Sequence, residues 1–332
     1  MTSVRTSVLG SVTLALVLAG CGGGQASSSH TLPVVTDPSS FVLVSTSGLT
    51  STVELRSAST GQLVQDVGTF GQSFTNNGLA LSPDGRYVYV TFNAHQTLLL
   101  ERIDVASGSR TLIADGEQPS LSPSGRLLAY ATGPDGSETL VVRDLSSGVT
   151  RSVNLAKLLG PDTDLLNASI TWLGDGSEIV IAPGGVASAV TTTEPASPGS
   201  CSAVASSATC LLVVGLTAGN SLTANRLVLS DLGSFNITIG GDDSLPRSVL
   251  IAISETDGTA VDRVDLSSAG VSVVRLLSLP PVLPLAFDPG GTHLLYLDGH
   301  SPPALWVGEI TQHGLKRRHL LLSDAHVGSL AW

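Results

Sequence analysis

Leu79-Ala80-Leu81-Ser82-Pro83-Asp84-Gly85-Arg86-Tyr87-Val88-Tyr89-Val90 decides the fold of this chain. The proline presets φ at the start of a turn, and the glycine supplies a positive φ that other residues resist. Apolar residues flank the turn on both sides. The segment therefore reads as two short strands folded into a hairpin. It returns as Ser120-Leu121-Ser122-Pro123-Ser124-Gly125-Arg126-Leu127-Leu128-Ala129-Tyr130 and as Leu285-Ala286-Phe287-Asp288-Pro289-Gly290-Gly291-Thr292-His293-Leu294-Leu295-Tyr296. A looser copy is Ile170-Thr171-Trp172-Leu173-Gly174-Asp175-Gly176-Ser177-Glu178-Ile179-Val180.

A second unit follows these hairpins: Asp104-Val105-Ala106-Ser107-Gly108, Asp144-Leu145-Ser146-Ser147-Gly148, Asp265-Leu266-Ser267-Ser268-Ala269-Gly270 and Glu309-Ile310-Thr311-Gln312-His313-Gly314. Arg56-Ser57-Ala58-Ser59-Thr60-Gly61 is an early variant. Alternating apolar residues flank it, as in Leu140-Val141-Val142-Arg143, and its acid and hydroxyls can hold turn amides. Two hairpins make a four-stranded antiparallel sheet. Four strands in a period of about 40–50 residues fit a β-propeller blade. Blades with two apolar faces bury both by stacking in a ring.

The expected fold is all-β, a six-bladed propeller of four-stranded antiparallel blades over residues 41–332. The blades are expected near 41–70, 78–115, 118–155, 168–232, 234–279 and 284–324. The first lacks its innermost strand. Gly328-Ser329-Leu330-Ala331-Trp332 matches the opening of another unit, so the C-terminal strand is expected to close the ring on the first blade.

The Ser-Pro-Asp-Gly-Arg hairpins resemble the WD-like repeats of TolB-type propellers, and also the propeller halves of prolyl-oligopeptidase-type peptidases. The TolB resemblance implies a periplasmic binding platform without chemistry of its own. The chain departs from the pattern in the fourth blade, which lacks the proline, and the fifth, which lacks the turn. No separate α/β domain precedes the ring.

Leu18-Ala19-Gly20-Cys21 follows an apolar run, Val8 to Leu18, with Arg5 upstream. That order reads as a secretory signal peptide over residues 1–20, and the apolar run itself is too short to span a bilayer. The four residues resemble the lipobox of bacterial lipoproteins, and the resemblance implies diacylglycerol on Cys21. Residues 21–40, rich in Gly, Ser and Pro, are expected to form a flexible tether. The expected location is therefore extracytoplasmic, on a membrane lipid anchor.

Charged residues make up only 13% of the 332, and the formal charge is -11. Phosphate repels such a body, which argues against nucleic acid as a partner. Lys157 and Lys316 are the only lysines, so lysine-based chemistry is disfavoured. The chain has no Gly-x-Ser-x-Gly elbow, His-Glu-x-x-His, phosphate-binding loop or Cys-x-x-Cys. No catalytic residue, metal site or cofactor is expected. The alternative is a metal-dependent lactonase-like hydrolase, which would need inward carboxylates from several blades around the channel.

Cys201 and Cys210 are an even pair in an oxidising compartment and are expected to form a disulfide, with two buried thiols as the alternative. They lie near the end of a long Ser/Ala/Thr-rich insertion, residues 183–209, in the fourth blade. That insertion and the variable loops on the same side of the ring form the candidate binding face. The face carries His95, Asp135, Asp162, Asp257, Asp298 and His300, with Asp164, Glu255 and Asp324 nearby. Lys316-Arg317-Arg318-His319 is the one basic cluster, read as protection of an outer strand edge. The alternative, contact with anionic lipid headgroups, needs more charge than this for strong binding. The expected function is a monomeric, non-enzymatic binding or scaffolding module. Its partner would be an envelope protein or peptide.

Overall fold

The computed structural model describes residues 40–332 except 48–49, 72–73, 95–96, 134–138, 161–162, 186–200, 202–208, 218–220, 230–236, 243–246, 256, 267–270, 299, 312–313 and 324–325. Within these residues the Ser-Pro-x-Gly hairpins build six four-stranded antiparallel sheets, the blades of a β-propeller. The second blade holds β4 (Phe74–Leu81), β5 (Tyr87–Ala94), β6 (Thr97–Asp104) and β7 (Arg110–Asp115). The third holds β8 (Glu117–Leu121), β9 (Leu127–Thr132), β10 (Thr139–Asp144) and β11 (Thr150–Asn154). The fourth holds β12 (Thr163–Trp172), β13 (Glu178–Gly185), β14 (Thr209–Leu216) and β15 (Leu222–Leu229). The fifth holds β16 (Ile237–Asp242), β17 (Ser248–Glu255), β18 (Gly258–Asp265) and β19 (Ser272–Leu279). The sixth holds β20 (Val282–Phe287), β21 (His293–Asp298), β22 (Leu305–Thr311) and β23 (Gly314–Leu322).

The first blade is built from both ends of the ring. It takes β1 (Ser40–Ser47), β2 (Thr50–Ser57) and β3 (Leu63–Phe70), and β24 (Ser329–Ala331) supplies its inner edge. Val42 faces Ala331, Leu43 faces Leu330 and Val44 faces Ser329. The C-terminal strand therefore closes the ring as its sequence suggests. β1 begins at Ser40, one residue before the expected boundary of the domain.

The turns explain why these residues form hairpins. Gly85 and Gly125 both sit at φ 68°, and each donates its N–H back to the serine that opens its turn. The Ser82 hydroxyl accepts from the Tyr87 N–H at 2.8 Å, and Ser122 does the same for Leu127 at 3.0 Å. In the sixth blade Asp288 takes the serine's place, with Oδ1 accepting from the His293 N–H at 2.6 Å. In the second to sixth blades the second turn is tied to the first by one backbone bond. Val105, Leu145, Leu216, Leu266 and Ile310 donate to the carbonyls of Arg86, Arg126, Ser177, Arg247 and Thr292.

The core is divided, not central. Six apolar clusters occupy the six seams between neighbouring blades. Val42, Val53, Val88 and Phe92 fill the seam between the first and second blades. Phe41, Leu295, Leu305 and Leu330 fill the closing seam. This is why each blade carries apolar residues on both faces.

The seam between the third and fourth blades contains the one α-helical turn among the described residues. The connection there makes a single helical turn, α1 (Ala156–Leu159), and Leu155 and Leu159 are fully buried. The all-β reading had no place for it, because one turn is too short to show a helical period. Cys201 packs into the same seam and is bonded to Cys210, with Cα atoms 5.5 Å apart. The disulfide thus fixes the returning end of the insertion to a seam between blades.

Candidate functional site in the central channel

The inner strands β4, β8, β12, β16, β20 and β24 surround the ring axis and enclose a cavity of about 370 Å³. The cavity reaches the Ser82-Pro83, Ser122-Pro123 and Asp288-Pro289 turns, so it lies toward the face that carries the short turns. Its wall is stitched from blade to blade. Trp172 donates its indole N–H to the Ser120 carbonyl at 3.1 Å, joining the fourth blade to the third. The Ser169 hydroxyl accepts from the Ile239 N–H at 3.0 Å, joining the fourth to the fifth. At Gly240 a side chain has no room, since a Cβ there would stand 2.5 Å from the Phe287 Cβ. The missing side chain lets Phe287 lie flush against the fifth blade.

The lining is hydroxyl-rich and apolar. Thr171, Thr238, Ser120, Ile170, Leu285 and Trp332 represent its chemistry. Among the described residues of the wall, Asp288 is the one ionisable side chain. Its carboxylate is already engaged, with Oδ2 accepting from the Thr292 hydroxyl at 2.8 Å and Oδ1 from the His293 amide. A lactonase-like metal site needs carboxylates from several blades, and this wall offers one, committed to a turn. Among the described residues no group of three or more His, Cys, Asp or Glu stands placed to hold a metal ion. Among the described residues lining the wall there is no histidine to activate a serine or threonine as a nucleophile.

Around the cavity the turn face is neutralised by ion pairs. Arg126 meets Asp144 at 2.7 Å, and Arg86 meets Asp104 at 3.5 Å within their own blades. Arg247 crosses to the fourth blade and grips both oxygens of Glu178 at 2.9 Å. Hydrogen bonds from Ser146 and Arg126 hold the Asp144 carboxyl far below the usual carboxylate range. Burial pushes Asp104 up, but bonds from Ser107 and Arg86 outweigh it and leave that pKa lowered.

The residues expected on the opposite face are only partly on view. His95, Asp135, Asp162, Asp324 and Cys21 lie outside the described residues, as does most of the 183–209 insertion. Asp257 and His300 are exposed, on the loops between second and third strands of the fifth and sixth blades. Glu255 pairs with Arg275 at 3.1 Å. Asp298 is mostly enclosed and braces its own loop. Its Oδ1 accepts from the Ala304 N–H at 2.9 Å and its Oδ2 from the Trp306 indole at 2.8 Å, with His300 Nδ1 at 3.3 Å. Burial acts to raise the Asp298 pKa, and these donors together bring it below the ordinary value. Sequence reasoning missed the channel wall. Its signal was present in the residues just before each Ser-Pro turn, which the repeat places on the innermost strand.

No protein-family model and no curated protein sequence matches the chain. Solved structures do. TolB from Acinetobacter baumannii superposes with a TM-score of 0.60 at 14% identity, covering 89% of this chain and 66% of that one. The chain thus spans just under two thirds of that protein's length. A protein assigned as TolB from Agrobacterium tumefaciens gives a TM-score of 0.56 at 15% identity, covering 84% of this chain and 90% of that one. A chain of a nidogen–laminin complex gives 0.57 at 11% identity, covering 88% and 97%. At such identities the likeness concerns the fold alone, a β-propeller like those of the TolB structures.

Proposed function

We propose that the chain is a non-enzymatic binding module of the cell envelope, held to a membrane by lipid on Cys21. The cavity at the turn-side end of the channel is its binding site. The observation that carries this reading is the chemistry of the wall. Hydroxyls and apolar side chains converge there from six rigid blades, and its single carboxylate is spent on a turn. Such a wall favours an uncharged, partly apolar segment, for example an extended stretch of a partner polypeptide. The wall offers no group to activate water or a nucleophile, which supports binding without chemistry.

Photo-crosslinkers placed at Thr171 and Thr238 test the reading in intact cells. Both residues line the cavity and are half-buried. One discrete cross-linked partner, lost when Thr171→Arg fills the channel, supports it. Cross-links that form only from Asp257 or His300 would overturn it.

That second outcome corresponds to a rival reading, in which a neutral or basic partner docks on the acidic face. Two observations favour it. Asp257 and His300 are exposed there, and the Cys201–Cys210 bond pins one end of the insertion on that side.

A further inference from the structure

The outer rim of the ring is uneven in charge. The outermost strands β3, β7, β11, β15 and β19 carry at most one cation each: none, Arg110, Arg151, Arg226 and Arg275. β23 carries Lys316, Arg317 and Arg318 in succession, followed by His319, and all four are exposed. The Arg318 guanidinium lies 5.4 Å from the Tyr296 ring and 5.5 Å from Trp306, which holds it in the gap facing the fifth blade. Arg317 reaches Glu309 at 3.4 Å while remaining largely in solvent. Leu320 on the same strand is 48% exposed. β19, the outer strand of the adjoining blade, approaches β23 and contributes Val273 and Val274, with Val271 just before it. Their exposures of 40%, 53% and 44% are high for valines in or beside a strand. Cations and apolar side chains therefore share one edge of a body whose formal charge is -11.

The same edge adjoins the point where the N-terminal segment joins the ring. Ser40 opens β1 and pairs with Ser57 at the start of the β2–β3 turn, so the chain enters the first blade on the turn face. β23 is the neighbour of that turn. His319 Nε2 lies 3.2 Å from the Ala58 carbonyl, and Gly61 has no room for a Cβ against the Leu321 backbone. Residues 22–39 can span at most about 60 Å. A lipid on Cys21 would leave this side of the ring within reach of the bilayer.

We propose that the β19–β23 edge docks on an anionic lipid surface, so that the ring stands edge-on with its channel axis along the membrane plane. The orientation rests on the lipid anchor proposed above. The physical argument is charge complementarity. An anionic bilayer repels a body of this net charge. Among the described outermost strands only β23 presents a run of cations to it, and screening confines the attraction to groups within about 8 Å of the surface. The exposed valines and Leu320 then enter the headgroup region, where apolar side chains beside cations are stabilised. Both faces of the ring, and both ends of the channel, stay open to a partner.

The test uses the mature, lipidated chain on vesicles, with fluorophores on Val274→Cys or, as a control on the far rim, Val149→Cys. Spin-labelled lipids quench fluorophores that approach the bilayer. Flotation with phosphatidylcholine vesicles reports the anchor alone. On vesicles rich in phosphatidylglycerol, quenching at position 274 should exceed that at 149 severalfold. Reversing Lys316 and Arg317 to glutamate should remove the difference, since each cation at such a surface is worth about fivefold in binding. Equal quenching at both sites on anionic vesicles overturns the proposal, as does a difference indifferent to the charge reversal. Dimers that form without vesicles and break on the same reversal would assign the edge to an acidic surface of a second copy, and would also overturn it. Failure to float on neutral vesicles, with the 274 preference intact on anionic ones, would remove the anchor and leave the edge.

Discussion

Arg126 holds one oxygen of Asp144 from two sides, with Nε at 2.9 Å and Nη2 at 2.7 Å. The arginine ends the first turn of its blade and the aspartate opens the second. The other oxygen, Oδ1, accepts from the amides of Ser146 and Ser147 at 2.9 and 3.0 Å and also holds the Ser146 hydroxyl. One carboxylate therefore organises the second turn and locks it to the first.

This arrangement predicts a pH dependence. The Asp144 pKa is lowered in the folded chain, by Ser146 first and Arg126 next. A group with a depressed folded pKa contributes stability that is complete above its unfolded value, about 3.9. That stability is lost as pH falls toward the folded pKa. Asp144→Asn should therefore lower the melting temperature by a few degrees at pH 7 and by clearly less near pH 2, where part of the contribution has been lost. An equal deficit at both values would show that packing, not charge, explains the pair.

Ring closure predicts a second outcome. Leu330 and Ala331 are buried in the closing seams, and Trp332 packs against the same residues with its ring 6.0 Å from His293. Deleting residues 327–332 removes β24 and should cost about 3–5 kcal/mol, a large share of an ordinary stability of about 5–15 kcal/mol. It also leaves the inner edge of β1 unpaired inside the channel, which favours aggregation. Unchanged thermal unfolding and monodispersity in the truncated protein would refute the closure.

Much of this fold was legible because its signals are local. A Ser-Pro-x-Gly turn specifies its hairpin within six residues, and Asp-x-x-Ser-Gly specifies the next. Blade order follows from counting them, and even the divided first blade shows in the match between residues 328–332 and the start of each repeat. The channel was harder. Whether Thr171 and Thr238 line one cavity depends on how six blades close, and no spacing within a blade encodes that. Asp298 shows the opposite error. As a carboxylate in a variable loop it looked available for a partner, yet the amide of Ala304 and the indole of Trp306 already use it. Hydrogen bonds within a loop leave no periodic trace in the sequence.

The disulfide gives a third prediction. Cys201 is buried in the seam between the third and fourth blades, and its bond to Cys210 closes a short loop. Chain entropy assigns such a loop about 2–3 kcal/mol. Mass spectrometry without reduction should find the two residues joined, and the double alanine variant should melt several degrees lower. Two alkylatable thiols in the native protein would rule the bond out.

The last prediction separates the two faces of the ring. Asp298→Asn is a poor probe of the acidic face, although its charge suggests otherwise. Both oxygens accept from N–H donors, and an amide nitrogen would set a donor against one of them. Leaving that donor unmatched should cost about 1–2 kcal/mol. Asp257→Asn, at an exposed turn, should change stability by less than about 0.5 kcal/mol. Removing residues 186–200 should also preserve folding, because the Cys201–Cys210 bond still holds the base of the insertion. If the channel is the binding site, partner capture survives Asp257→Asn and the deletion, and fails in Thr171→Arg and Thr238→Arg. Those two variants place a cation and a long side chain in a wall lined from all six blades, whose one carboxylate among the described residues is committed to a turn. Capture lost on removing 186–200 or Asp257, and untouched by a filled channel, would move the site to the acidic face.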